Sequence, residues 1–137
     1  MTDRTTRPRV LLADDHAGML DSISKLLSSE FEIVGSVADG YFVLEAVERL
    51  HPNLLVMDIA MPRLDGIRTA RELQSLHSDV KIVFLTVQDD EEYISAAFAA
   101  GARGYVFKSR MRTDLITALT EVLAGNLFVS QRSNHQK

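Results

Sequence analysis

Residues 54–58 read Leu-Leu-Val-Met-Asp, a run of four apolar residues that ends directly on a carboxylate. A run that is apolar at every position is typical of a strand buried on both faces of a parallel sheet. Three further apolar runs also end on polar residues: 10–13 before Asp14 and Asp15, 82–85 before Thr86, and 105–107 before Lys108. Parallel strands share one carboxyl edge, and α/β sheets bind ligands along it, so we expect these polar side chains to meet.

Helical periodicity separates the apolar runs, which predicts βα units. Val43, Val47 and Leu50, for example, fit the 3.6-residue period of a helix with one buried face. A strand of mixed polarity over residues 31–37, typical of a sheet edge, and a last helix over about residues 113–124 complete the alternation. We therefore predict an α/β fold with a doubly wound five-stranded parallel sheet and helices on both faces.

Composition narrows the class of protein. The chain has 137 residues, which is one domain's worth, and 46% of them are apolar. A net charge of −4 gives no electrostatic reason for this segment to bind nucleic acid. The absence of cysteine excludes disulfides and thiolate metal sites. The apolar stretches are too short to cross a bilayer and the polar start does not read as a secretory signal, so we expect a cytoplasmic protein with no membrane contact.

The polar residues at the strand ends suit phosphoryl chemistry with a divalent cation. The carboxylates of Asp14, Asp15 and Asp58 would repel one another unless a cation neutralises them, and hard oxygen ligands suit Mg²⁺. One carboxylate then serves as a nucleophile toward a phosphoryl group, while Thr86 donates a hydrogen bond and Lys108 pairs its charge. Each residue alone has an ordinary alternative, such as Asp14 capping the first helix. Their joint occurrence at successive strand ends favours the phosphoryl site.

Four segments carry a resemblance to a known family. They are residues 11–16 (Leu-Leu-Ala-Asp-Asp-His), 57–66 (Met-Asp-Ile-Ala-Met-Pro-Arg-Leu-Asp-Gly), 85–86 (Leu-Thr) and 101–108 (Gly-Ala-Arg-Gly-Tyr-Val-Phe-Lys). With these motifs the chain resembles the receiver domain of two-component response regulators, from about residue 10 to residue 124. Segments 85–93 and 122–130 are most similar to receivers of LuxR-type transcriptional regulators.

The resemblance implies a flavodoxin-like (βα)₅ receiver fold with strand order 2-1-3-4-5. It assigns Asp58 as the phosphorylated aspartate, Thr86 as the switch hydroxyl, Tyr105 as the switch aromatic, and Lys108 as the lysine of the phosphoacceptor site. The Mg²⁺ ligands that it implies are Asp14, Asp15, Asp58 and the backbone carbonyl of Ala60.

The function that the resemblance implies is transfer of a phosphoryl group from a histidine kinase onto Asp58 with Mg²⁺. Phosphorylation would draw Thr86 inward and let Tyr105 rotate inward. The face formed by helix 4, strand 5 and helix 5 would then shift its population between two conformational states. The expected outputs are a homodimer through that face and control of a DNA-binding domain absent from this chain. A stand-alone receiver that regulates a protein partner is the alternative. The chain would accept a phosphoryl group and lose it by self-hydrolysis, and would not be a turnover enzyme.

This interpretation divides the chain into three segments. We expect a flexible arm over residues 1–8, the receiver domain over 9–125, and a linker or tail over 126–137.

The sequence speaks against three other function classes. A haloacid-dehalogenase-like phosphatase needs a second aspartate where Ala60 stands. A flavodoxin-like FMN carrier needs a Ser/Thr/Gly-rich loop where Asp14, Asp15 and His16 stand. A receiver-like interaction module without phosphorylation would be expected to lack an acidic residue or the lysine.

Two positions depart from the common pattern of the family. Ser109 stands where many receivers have a proline after a cis bond, and a cis bond before a residue other than proline costs about 3–4 kcal/mol, so we expect a trans bond. Val87 is β-branched where a small residue is usual. We expect Val87 to narrow the approach to Asp58 and to slow phosphoryl transfer or hydrolysis.

Overall fold

The computed structural model describes residues 7–131 and forms one parallel sheet covered by helices. The strands are β1 (Arg9–Ala13), β2 (Glu32–Val37), β3 (Leu54–Met57), β4 (Lys81–Thr86), β5 (Gly104–Phe107) and β6 (Phe128–Val129). The helices are α1 (Ala17–Leu27), α2 (Gly40–Leu50), α3 (Gly66–Ser75), α4 (Glu91–Ala99) and α5 (Met111–Leu123), with a 3₁₀ turn at Lys108–Arg110.

The strand order is β2-β1-β3-β4-β5-β6, and every neighbouring pair is parallel. The predicted doubly wound α/β fold and the order 2-1-3-4-5 are therefore confirmed. The sixth strand was not predicted, because two residues are too short to show a period. It adds to the free edge of β5 and lies in the stretch that we expected to be a linker or tail. The expected N-terminal arm over residues 1–8 lies largely outside the described residues.

Alternate residues of the strands separate the core into two layers, because successive side chains of a strand point to opposite faces. Leu11, Leu55 and Phe84 pack with α2, α3 and α4 on one face. Leu12 and Val56 pack with α1 and α5 on the other. No helix among residues 7–131 is long and apolar enough to span a bilayer.

The register of β1 and β3 brings their carboxyl ends to one level. Ala13 pairs with Met57, so Asp14 and Asp58 follow two residues that lie side by side. The Asp58 backbone N–H donates to Ala13 O at 3.0 Å, which holds the first residue beyond β3 against β1. The two carboxylates are thus brought together by the sheet itself.

The loop between β3 and α3 is held against the start of α2. The Arg63 Nε donates to Asp39 Oδ2 at 2.6 Å, and Asp39 in turn caps α2 by accepting from the Tyr41 N–H at 2.8 Å. The approach of the two backbones is close at Gly40, where a Cβ would lie 1.7 Å from Leu64 O. Only glycine fits there.

Replacing Gly40 by alanine is expected to lower the free energy of unfolding by about 1–3 kcal/mol, because the added methyl group must displace backbone at Leu64. Gly18→Ala is the matched control, since a Cβ at Gly18 in α1 meets nothing within 4 Å. That change should leave stability equal or raise it slightly, as alanine is the better helix former. Urea unfolding curves measure both. Equal stability of the two variants would contradict the close contact.

Candidate functional site

The ammonium of Lys108 lies between two buried carboxylates. Its Nζ is 2.8 Å from Asp14 Oδ2 and 2.8 Å from Asp58 Oδ2. Asp14 and Asp58 are only 1% and 4% exposed, so their charges are largely withdrawn from water. A shared cation is the arrangement that makes such burial tolerable. The structure therefore brings together three of the residues predicted from the strand ends.

The pKa of Lys108 is raised from its ordinary value of 10.5. Burial of the ammonium acts in the opposite direction, but the hydrogen bonds to Asp14 and Asp58 and their charges outweigh it. Lys108 is therefore a fixed positive charge at neutral pH. It lies between the carboxylates of Asp14 and Asp58, which would otherwise repel each other.

Asp15 and His16 extend the acidic pocket outward. The His16 Nδ1 lies 3.3 Å from Asp14 Oδ1 and 3.1 Å from Asp15 Oδ1. One ligand atom from each of these three residues falls within 4.8 Å of the others, close enough to share one metal ion. His16, not Asp14, occupies the N-cap position of α1, and Asp14 Oδ1 accepts the His16 backbone N–H at 2.9 Å. The capping alternative for Asp14 is therefore wrong.

The loop after Asp58 turns its backbone back toward the carboxylate. The Ala60 N–H points at Asp58 Oδ1 at 3.4 Å, a long hydrogen bond. The Gly66 N–H donates to Ile59 O at 2.7 Å, which closes the loop at the start of α3. Ala60 itself is exposed.

Thr86 ends β4 and is fully buried. Its hydroxyl accepts from the Gln88 N–H at 3.3 Å, and among the described residues no hydrogen bond links it to Asp58. Val87, in contrast, is 70% exposed. The hydroxyl predicted to serve the site thus lies at the correct strand end but is turned to its own loop.

The ring of Tyr105 is fully buried, and its hydroxyl donates to Gln88 O at 2.7 Å. Burial raises the pKa of the phenol above its ordinary value of 10, and the charges of Asp89 and Asp90 act in the same direction. Tyr105 is therefore a neutral donor at physiological pH. The inward orientation that we expected after phosphorylation is already the one that this structure has.

The peptide bond between Lys108 and Ser109 is trans, as expected. Lys108 begins the short 3₁₀ turn, which passes directly into α5 at Met111. The helix thus starts two residues before the predicted Thr113. The lysine reaches the carboxylates without a cis bond.

Sequence reasoning missed a second buried polar cluster, next to β5. Ser130 Oγ donates to Asp114 Oδ2 at 2.7 Å, and the Phe107 N–H donates to Ser130 Oγ at 3.1 Å. Burial opposes ionisation of Asp114, but hydrogen bonds from Arg110 and Ser130 outweigh it and lower the pKa of the carboxyl. The only signal in the sequence is a serine after three apolar residues, Leu127 to Val129, which is a common pattern in loops.

Comparison with known proteins identifies the family. Residues 10–120 match the response regulator receiver domain. The chain belongs to this family and is the receiver domain of a two-component response regulator of the LuxR type.

Two curated response regulators are similar to nearly the whole of this chain. DegU of Brevibacillus brevis is 32% identical over 129 residues, which cover 93% of this chain and 55% of DegU. NreC of Staphylococcus carnosus is 33% identical over 90% of this chain and 58% of NreC. The chain thus spans somewhat more than half the length of these curated relatives.

Solved receiver domains share the fold closely. The isolated receiver domain of RcsB from Salmonella enterica serovar Typhimurium, solved with the phosphate mimic BeF₃⁻, has a TM-score of 0.84 and 27% identity and covers 92% of this chain and 95% of that one. The receiver domain of NarL from Mycobacterium tuberculosis has a TM-score of 0.84 and 25% identity over 88% of this chain and 98% of that one.

Replacing Lys108 by glutamine is expected to lower the free energy of unfolding by about 1–3 kcal/mol, because Asp14 and Asp58 lose a charged partner while they stay buried. The Lys108 contribution is complete below its unfolded pKa of 10.5 and is lost only as the pH rises through the higher folded value. The difference should therefore persist from about pH 7 to about pH 9 in urea unfolding.

Lys25→Gln is the control for this prediction, since Lys25 forms an exposed pair with Asp21 and exposed pairs contribute little. It should leave the free energy of unfolding nearly unchanged. A Lys108→Gln variant as stable as the unchanged protein would show that the carboxylates do not need the ammonium.

Proposed function

We propose that Asp58 accepts a phosphoryl group from a histidine kinase in the presence of Mg²⁺. The observation that carries this proposal is the position of the Lys108 Nζ, 2.8 Å from both Asp58 and Asp14. A lysine fixed beside a nucleophilic carboxylate supplies positive charge where a phosphoryl group would add negative charge.

The side chains of the pocket fit a magnesium ion. Asp14 and Asp15 offer carboxylate oxygens close enough to share a metal, and Asp58 and the Ala60 carbonyl complete the proposed ligand set. Oxygen donors of this kind suit Mg²⁺, which retains water and binds phosphate oxygens. When bound, the ion would neutralise charge on the carboxylates and on the incoming phosphoryl group.

The transfer step balances with these groups alone. An oxygen of Asp58 bonds to phosphorus while the bond from phosphorus to the donor's imidazole nitrogen breaks. The electron pair of that bond stays on the ring, which carries a proton on its other nitrogen and therefore leaves as neutral imidazole. Lys108 then pairs with an oxygen of the phosphoryl group, and the Thr86 hydroxyl turns from Gln88 to donate to another. The product is an acyl phosphate on Asp58.

Loss of the phosphoryl group needs only water. A water oxygen bonds to phosphorus, the acyl oxygen departs with its electron pair, and the Asp58 carboxylate is regenerated with release of inorganic phosphate. Ala60 stands where a phosphatase would carry a general acid, so no side chain there protonates a leaving group. We therefore propose a phosphoacceptor that hydrolyses its own phosphate slowly and does not turn over substrates.

The proposed switch runs through Thr86 and Tyr105. Movement of Thr86 toward the phosphoryl group would break its bond to the Gln88 N–H, and the Gln88 carbonyl is the acceptor of the Tyr105 hydroxyl. The loop after β4 thus contacts both residues. Because Tyr105 is already inward, the signal is proposed to change the loop around the ring and the α4–β5–α5 face beside it.

The proposed partners are supported by a solved relative. RcsB has been solved as a complex with DNA, and the chain covers 65% of that protein. We propose a cytoplasmic regulator in which residues 9–125 form the receiver and residues 126–137 lead toward a DNA-binding domain. A homodimer through the α4–β5–α5 face is proposed as the active form. A stand-alone receiver that binds a protein partner remains the alternative.

Incubation with acetyl phosphate and Mg²⁺ tests the proposed nucleophile. Intact mass should increase by one phosphoryl group in the unchanged chain and in Asp65→Asn, but not in Asp58→Asn. Asp65 is a matched control, since it lies on the same loop and only caps α3 through the Arg68 N–H, which asparagine also accepts. A gain of mass in Asp58→Asn would place the phosphoryl group elsewhere. Turnover of added phosphate esters would favour a phosphatase.

The effect of Val87 is tested by rates. Val87→Ala should speed phosphorylation by acetyl phosphate or subsequent hydrolysis several-fold, because the exposed β-branched side chain beside Thr86 is removed. Val87→Thr keeps the branch and should behave like the unchanged chain. Rates that are equal in all three proteins would exclude Val87 as a steric gate.

A further inference from the structure

Two buried polar side chains lie outside the proposed phosphoacceptor site and bond to each other. Asp114 is 8% exposed and Ser130 is 5% exposed. Asp114 belongs to α5 and Ser130 follows β6, so their 2.7 Å hydrogen bond joins the main domain to the segment that leaves it. We call residues 126–130 the C-terminal strap.

The strap is hydrogen-bonded along the edge of β5. The Phe128 N–H donates to Arg103 O at 3.1 Å, and the Ser130 N–H donates to Tyr105 O at 2.8 Å. The Ser130 hydroxyl accepts the Phe107 N–H at 3.1 Å. Ser130 therefore holds both ends of the segment from residue 105 to residue 107, directly before Lys108.

Asp114 anchors the other side of Lys108. The Arg110 Nε donates to Asp114 Oδ2 at 2.9 Å, and Arg110 ends the 3₁₀ turn that Lys108 begins. The backbone of Lys108 is thus flanked by Phe107, bonded to Ser130, and by Arg110, bonded to Asp114. Ser130 and Arg110 both donate to the carboxylate of Asp114, so this carboxylate links the two sides.

The position of the Lys108 ammonium depends on this stretch of backbone. Its ammonium contacts Asp14 and Asp58 at 2.8 Å from the opposite side of β4, so a small shift at the end of β5 alters both contacts. Charge-assisted contacts of this kind are sensitive to geometry.

We propose that Ser130 is a positioning residue for Lys108, and that docking of the C-terminal strap and binding of a phosphoryl group at Asp58 strengthen each other. Coupling between two sites is reciprocal, so a strap that positions Lys108 must itself be held more firmly when Lys108 engages a phosphoryl group. The inference rests on the proposed function. It identifies the strap as a segment of the chain that would receive the signal directly from the proposed phosphoacceptor site.

Beryllofluoride with Mg²⁺ is the probe, titrated by fluorine NMR on the unchanged chain, Ser130→Ala and Ser130→Pro. The alanine variant removes the hydroxyl. The proline variant also removes the N–H that donates to Tyr105, so it releases the strap even if that backbone bond alone can hold the strap in place. Ser75→Ala is the matched control, an exposed serine on α3 that donates to Glu72 O. Affinity should fall about fivefold or more in the two Ser130 variants and stay unchanged in the control.

Hydrogen exchange supplies the reciprocal measurement. Beryllofluoride should increase protection of the amides of residues 126–130 in the unchanged chain, a response that a purely structural latch would not give. The inference would be overturned if the Ser130 variants bound beryllofluoride as tightly as the unchanged chain. It would also be overturned if beryllofluoride did not change the amide protection of the strap. If the unchanged chain neither binds beryllofluoride nor gains a phosphoryl group at Asp58, the proposed function fails first and takes this inference with it.

Discussion

The Lys108 ammonium between the carboxylates of Asp14 and Asp58 is the contact on which the rest of the site depends. It joins residues that follow β1, β3 and β5, and its single positive charge reduces the repulsion between two buried carboxylates. The parallel register of β1 and β3 sets the two carboxylates side by side, and β5 supplies the cation from beyond β4. The fold thus fixes an electrostatic centre before any ligand arrives.

The same centre explains how a local charge change could be felt at a distance. Lys108 belongs to a backbone segment whose hydrogen bonds run to Gln88 through Tyr105 and to Asp114 through Ser130. In the proposed phosphorylation, the added group would bring negative charge and strong acceptor oxygens to Asp58, and these would compete for the lysine and the Thr86 hydroxyl. A population shift between two arrangements of this hydrogen-bonded segment would then carry the signal without any change of fold.

Much of this architecture was predictable from residues that are close in sequence. The all-apolar runs located β1, β3, β4 and β5, and the single rule that parallel strands share a carboxyl edge predicted the meeting of Asp14, Asp58 and Lys108. Three features were not predictable. The strand β6 is too short to carry a period, the Ser130–Asp114 bond joins polar residues with no pattern between them, and the orientation of Tyr105 is decided by packing and by the Gln88 carbonyl. Each depends on tertiary contacts that local sequence does not encode.

The most direct measurement of the central claim is chemical mapping of the phosphorylated residue. Borohydride reduces an aspartyl phosphate to homoserine, which peptide mass spectrometry locates in the sequence. After treatment with acetyl phosphate and Mg²⁺, the account predicts homoserine at position 58 alone, and none when Lys108 is replaced by glutamine under the same brief exposure. Homoserine at position 14 or 15, or an unaltered Asp58 in a chain that has gained a phosphoryl group, would contradict it.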